Sequence, residues 1–224
     1  MDVQTCLKKL QYVGVLTFAT VGADGSPQAR SISALHFEPD AIYFFTARGK
    51  GFCRQLLHDG RVQAHALTRY KEMIRLSACA RPVADDEQRL WRDRIFDEQP
   101  YLSNVYPGET RNIGLVFGIR SARVEYFNLG VHPIERAYFA WGGAEAERKG
   151  YRVGARCIGC GRCLSRCPQG CIVPGKPYRI AEEHCLHCGP ASKPVPWGRC
   201  NGWTDGAPRG KSPKGTHGTR RNNA

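Results

Sequence analysis

Between Tyr12 and Val83 short β-branched and aromatic runs alternate with turn signals, a pattern of strands. Val13–Val21 and Gln28–Phe37 flank Ala23-Asp24-Gly25-Ser26-Pro27, where Asp-Gly signals a hairpin turn. Ala41–Thr46 predicts a third strand, and Gly49-Lys50-Gly51 opens a short helix over Phe52–His58. Arg61–Leu67 and Glu72–Val83 predict two more strands. Asp85-Asp86-Glu87 puts acids in the first turn of a helix reaching Glu98, which suits the helix dipole. After the loop Pro100–Arg111, Ile113–Ile119 and Ala122–Phe127 read as strands. About six or seven strands, two or three helices and few long crossovers predict an antiparallel barrel, a mainly β fold with flanking helices.

Asn128–Tyr151 has neither a helical nor a strand period, so the layout predicted is a barrel over residues 1–130, a linker over 131–151, a cysteine module over 152–188 and a tail over 189–224. The tail holds seven Gly and five Pro and almost no aliphatic side chains, which predicts disorder. It also carries seven of the 33 basic residues against Asp205 alone, so it supplies +6 of the net +13 and residues 1–188 only +7. That uneven split weakens the nucleic-acid reading a basic chain first suggests. The absence of a run near the roughly 18 apolar residues of a spanning helix, together with Lys8 and Lys9 near the N-terminus, predicts a soluble cytoplasmic protein without membrane contact.

Cysteine changes the picture more than charge does. Of 11 cysteines, Cys6, Cys53 and Cys79 are scattered and eight fall at or after Cys157. Clustered thiols in an unexported chain point to metal ligation. Cys157-Ile-Gly-Cys160-Gly-Arg-Cys163-Leu-Ser-Arg-Cys167-Pro168 resembles the C-x2-C-x2-C-x3-C-P run of bacterial ferredoxins, in which three cysteines wrap one four-iron cluster and the fourth serves another. Tetrahedral zinc is the alternative for C-x2-C pairs. His184-Cys185-Leu186-His187-Cys188 resembles the start of a second such motif, but Ala191 and Val195 stand where its remaining cysteines would fall. The metal ligands predicted are Cys157, Cys160, Cys163, Cys167, Cys185 and Cys188, holding one or two 4Fe-4S clusters. Cys171 and Cys200 are spare thiols, and His184 and His187 read as neighbours of a cluster. A tail that begins beside a half-finished motif also reads as an out-of-frame ferredoxin ending.

Several stretches of the barrel region carry a further resemblance: Ala23-Asp-Gly-Ser-Pro-Gln-Ala-Arg30-Ser31, Tyr43-Phe-Phe-Thr46-Ala-Arg48-Gly49-Lys50, Arg54-Gln55-Leu56, Met73-Ile-Arg-Leu-Ser77, and Pro133-Ile134-Glu135-Arg136 leading to Trp141-Gly142-Gly143. In this order they resemble the pyridoxamine 5′-phosphate oxidase-like family of FMN-binding split barrels, and residues 1–188 resemble members with a C-terminal 4Fe-4S module. The resemblance implies that Arg30, Ser31 and Ile32 lie along the flavin edge, that Thr46, Arg48, Gly49 and Lys50 hold its phosphate, and that the flavin sits at a homodimer interface. Arg48 and Lys50 about a glycine at a helix start are also sensible phosphate donors on chemical grounds. Without the family pattern they read as a solvated turn.

The function expected is an FMN-dependent oxidoreductase coupling flavin chemistry to one-electron transfer through 4Fe-4S clusters, with a ferredoxin or a reduced nicotinamide as electron partner. No G-x-G-x-x-G fingerprint appears. The alternatives are a flavin- or small-ligand-binding protein with a structural metal module and no turnover and, last, nucleic-acid binding through the tail. His36, His58, His65 and His132 assemble no catalytic triad, and flavin chemistry requires none.

Overall fold

In the computed structural model, which describes residues 1–189 and, by backbone alone, 200–203, the chain opens with a helix that the strand pattern does not announce. Helix α1 (Val3–Val13) starts where the Asp2 carboxylate accepts the Thr5 N–H at 2.8 Å and ends at Gly14, whose φ of +71° turns the chain out. Its buried face, Cys6, Leu7 and Leu10, closes one end of the main core.

Strands β1 (Leu16–Val21) and β2 (Pro27–Ile32) form the predicted hairpin, with Asp24 accepting the Ser26 N–H and hydroxyl in the turn. β2 stops at Ile32, and β3 (Leu35–Glu38) belongs to another sheet, so Gln28–Phe37 is two strands rather than one. The break lets the chain pass from one sheet to the other at Ser33 and Ala34, where the Ala34 carbonyl accepts the Phe45 N–H. β4 (Ala41–Ala47), α2 (Gly51–His58) and β5 (Arg61–Leu67) follow as expected. Glu72–Val83 also divides, into β6 (Glu72–Cys79) and β7 (Arg81–Pro82), across the fully buried Ala80. Helices α3 (Gln88–Glu98) and α4 (Leu102–Val105) precede β8 (Gly114–Ile119) and β9 (Ala122–Asn128).

The linker expectation fails at β10 (Glu135–Trp141), which pairs with β9 from Glu135↔Asn128 to Trp141↔Ala122 and edges the larger sheet. Both of its faces are partly covered, so it lacks the clean alternation that would reveal it. The two antiparallel sheets, β10-β9-β6-β5-β1-β2 and β3-β4-β8-β7, form a split barrel. Between them Phe18, Phe44, Phe52 and Phe117 stack, with the Phe18 and Phe44 centroids 4.9 Å apart. Every residue of β4 is buried because α3 and α4 cover its second face, placing Trp91 on Tyr43 and Phe96 on Phe45. His36 joins these layers, its ring nitrogens 2.8 Å from Glu98 and 2.9 Å from Glu38.

The module adds β11 (Gly150–Val153), β12 (Ile172–Val173), β13 (Arg179–Ile180) and β14 (Cys200–Trp203). β14 lies within the tail expected to be disordered, yet pairs with β11 from Cys200↔Val153 to Trp203↔Gly150. The rest of that expectation, from Pro190 to Arg199 and beyond Trp203, falls outside the described residues. No helix among the described residues is long and apolar enough to cross a membrane.

Glu72 fastens α1 to the sheet. Its carboxylate accepts from Lys9 Nζ at 2.8 and 2.9 Å, from the Tyr126 hydroxyl at 2.9 Å and from the Thr68 hydroxyl at 3.1 Å. Burial pushes its carboxyl up, but these donors outweigh burial and hold it below the ordinary glutamate value. A carboxyl depressed by folding stabilises above its unfolded pKa, and that contribution is lost as pH falls through the folded value. Glu72→Ala should cost about 2–3 kcal/mol in urea unfolding at neutral pH, from the unpaired hydroxyls and the broken pair. The difference from the parent should shrink in acid; a gap independent of pH would count against the carboxylate's role.

Candidate functional site

The end of β4, the turn after it and the start of α2 carry the candidate residues Thr46, Arg48, Gly49 and Lys50. Thr46 is buried in register with Leu115, while Arg48, Gly49 and Lys50 are exposed in the turn. The turn is fixed by its backbone: Arg48 donates to the Ile113 carbonyl and Lys50 to the Ala47 carbonyl, each at 3.1 Å. A Cβ on Gly114, opposite Ala47, would overlap the Phe45 ring, so β8 can approach β4 this closely only with glycine there. Helix α2 then begins with no side-chain cap and no acid in its first turn. Three cations belong to this start: Arg48 and Lys50 in the turn, Lys50 Nζ lying 6.0 Å from the Tyr106 ring centroid, and Arg54, whose Nη1 donates to the Gly49 carbonyl at 2.8 Å. Such an end suits an anion, because its first turn has neither a side-chain cap nor an acid and its neighbours in the chain are basic. Arg54 was absent from the residues predicted from sequence; its signal is its place one turn into a helix that opens on Gly49-Lys50.

Arg30 reaches the same helix farther along. Its guanidinium donates to the Thr20 hydroxyl at 2.5 Å and to Gln55 Oε1 at 2.8 Å, and lies 4.7 Å from the centroid of Phe52. Gln55 Oε1 also accepts the Thr20 hydroxyl at 2.6 Å. Arg30 is thus committed to tying β2 to α2, and burial lowers its pKa from the usual arginine value. Ser31 is exposed on β2, and Ile32 packs on the main core. The structure therefore joins the two predicted groups through one helix, with Thr20 and Gln55 as links to which the sequence reading gives no site role. A groove of about 620 Å³ crosses β1, β5, β6 and β9 beside Arg61, Gln63, Cys79 and Arg123; none of the predicted site residues lines it.

In the module the thiols fall into two neighbourhoods. Cys163 feels the Cys157 and Cys160 thiols, although burial is the larger cause of its raised pKa. Cys163, Cys167, Cys171, Cys185 and Cys188 border an apolar cavity of about 30 Å³, with Ile172, Ile180 and Leu186 in its wall. Within it Cys167 and Cys171 Sγ atoms are 3.4 Å apart, and the buried Cys185 thiol is a near neighbour of Cys171. Burial pushes the Cys171 thiol strongly up. Thiols in apolar surroundings are the donor chemistry of a thiolate-held cluster. Among the described residues, no three or more His, Cys, Asp or Glu side chains are arranged to hold a single metal ion. His184 Nδ1 sits 2.9 Å from the Ile134 carbonyl and Gln169 accepts the Ile134 N–H, so these side chains dock the module on the start of β10. Burial lowers the pKa of His187, whose Nε2 is buried without a hydrogen-bond partner.

Residues 3–104 match the family described as Pyridoxamine 5′-phosphate oxidase. Among solved structures, the chain is similar to a NimC/NimA family protein from Clostridium acetobutylicum, with 19% identity and a TM-score of 0.53 over 62% of this chain and 92% of that one. It is also similar to PhzG from Burkholderia lata in complex with tetrahydrophenazine-1-carboxylic acid, with 16% identity and a TM-score of 0.50 over 65% and 90%. A pyridoxamine 5′-phosphate oxidase-related, FMN binding protein from Nostoc punctiforme aligns with 16% identity and a TM-score of 0.45 over 64% and 92%. No curated protein matches the chain. The family match spans residues 3–104, and the likeness to the solved structures lies in the fold, a split barrel of two antiparallel sheets.

Proposed function

We propose that the protein is a cytoplasmic FMN-dependent oxidoreductase, and the observation that carries this reading is the uncapped start of α2 among Arg48, Lys50 and Arg54. A flavin phosphate would take the acceptor position that no protein side chain fills there, with the Thr46 hydroxyl and the Gly49 backbone beside it. Arg30, Ser31 and Ile32 would lie toward the ring system, and a second copy of the chain would complete the site as a homodimer. When bound, FMN supplies exchange of a hydride or of single electrons. The chain's own task is to neutralise the phosphate and orient the ring.

The finer part of the proposal is that Cys157, Cys160 and Cys163, with Cys167, Cys185 and Cys188, hold one or two 4Fe-4S clusters that pass single electrons between the flavin and a ferredoxin or a reduced nicotinamide. Its support is the ligand spacing together with the apolar thiol-lined cavity. Iron and sulfide analysis of anaerobically prepared protein tests it: stoichiometric zinc without sulfide would rule the clusters out. Cys160→Ala should remove cluster absorbance and leave FMN binding intact.

The phosphate reading has its own test. Arg48→Ala/Lys50→Ala should weaken FMN binding at least tenfold, about 1.4 kcal/mol, in a fluorescence titration of the folded variant. Unchanged affinity would remove both residues from the site.

A further inference from the structure

We propose that Cys167 and Cys171 are a redox-active pair that closes to a disulfide, Cys167 being the attacking thiol and Cys171 the resolving one. This goes beyond the flavin reading and requires neither flavin nor metal. Its basis is the 3.4 Å contact between the two sulfurs in a cavity walled by Ile172, Ile180 and Leu186. A disulfide bond of about 2.05 Å asks the sulfurs to close by a further 1.3 Å or so, a movement small enough for side-chain rotation about the intervening Pro168-Gln169-Gly170 turn.

The two thiols stand in different surroundings, which divides their roles. Cys167 is half-buried, and its sulfur, 3.4 Å from that of the buried Cys171, is the more accessible of the two. The more accessible sulfur is the one an incoming disulfide can reach, so it is the attacking one. Cys171 is only 5% exposed and is held from behind, since its carbonyl accepts the Ala181 N–H at 2.7 Å. It can reach Cys167 but not an incoming reagent of any size. Gly170, with φ of +59°, allows the tight turn that brings the second thiol back to the first.

The oxidant is a low-molecular-weight disulfide. The Cys167 thiolate attacks one of its sulfurs and expels the other as a thiolate, giving a mixed disulfide on Cys167. The Cys171 sulfur then attacks the Cys167 sulfur and expels the second thiolate. The protons from Cys167 and Cys171 end on the two released thiols, so two protein thiols are oxidised as one small disulfide is reduced. The closed pair withdraws Cys167 from any metal and fixes the Pro168–Gly170 turn.

The full chain is freed of metal with EDTA, reduced, desalted and incubated with oxidised glutathione. Free thiols are then alkylated and tryptic peptides weighed. Residues 167–179 form one tryptic peptide containing only these two cysteines. The expected product is that peptide two hydrogens lighter, unalkylated, as its main form. Cys171→Ser should instead retain one glutathione on Cys167, the trapped intermediate, and Cys160→Ser should leave the bridge unchanged. Alkylation at both positions of the parent chain overturns the proposal, as does a bridge from Cys171 to Cys185. The parent chain alone decides between these results, so the reading does not depend on a variant that folds poorly.

Discussion

Phe44→Ala should destabilise the protein by about 4 kcal/mol, because a fully buried aromatic side chain is lost from a core too well packed to collapse around the gap. Phe44 lies between Phe18, Phe52 and Phe117, at centroid distances of 4.9, 5.7 and 5.7 Å, so one truncation strips ring contacts from a strand of each sheet and from α2. The effect should reach the site as well. Phe52 carries the Arg30 guanidinium on its outer side and Phe44 on its inner side, so α2 loses part of the support that aims its first turn. Urea unfolding should show the midpoint fall by several-fold more than for Leu57→Ala, whose side chain is exposed on the same helix and whose loss should stay within about 0.5 kcal/mol. A small shift for Phe44→Ala would mean that the two sheets do not share this core.

The elements legible in the sequence were those with one clear period. β5 alternates exposed and buried along its whole length, so the pattern defines both its ends, Arg61 and Leu67. β4 and α2 are legible because a buried run ends on Gly49-Lys50-Gly51, a breaker that also holds the candidate phosphate residues. The failures share a cause. Strands that change sheet at Ser33 or Ala80 do so within one or two residues and without a glycine between them, so the sequence reading merges them. β10 and α1 are elements whose signals are positional: a strand half-covered on both faces, and a short helix marked by Asp2 and Gly14 rather than by a long stripe. In the candidate site, Arg48 and Lys50 are singled out by their chemistry at a helix start. Arg54, Thr20 and Gln55 are not, since their roles depend on which face of α2 meets β1 and β2. Cys171 likewise looks spare along the chain and meets Cys167 and Cys185 only in the fold.

Restoring one base near codon 189 should give a protein that binds about eight irons per chain, as two four-iron clusters, where the present chain binds fewer. The expectation begins at Cys185 and Cys188, a motif that starts and then stops. The following segment, Gly189 to Trp203, GPASKPVPWGRCNGW, can be encoded so that one added G shifts it to Gly-Arg-Cys-Gln-Gln-Ala-Cys-Pro-Val-Gly-Ala-Val-Gln-Trp-Met. Read after Cys185 and Cys188, this supplies the third cysteine and the Cys-Pro in the spacing C-x2-C-x2-C-x3-C-P. The coincidence is specific in its demands, because the codons of Pro190 and Pro194 must end in T and the other third bases must also comply. A shifted frame accounts at once for the unfinished motif and for the coreless basic composition that follows it. It concerns residues that lie largely outside those described structurally, so the decisive measurement is the coding DNA itself, followed by iron and sulfide counts on the present and the restored chains. Codons that cannot produce the second motif by a one-base change would end this account. Equal iron in the two proteins would show that Cys167, Cys185 and Cys188 do not await the missing thiols.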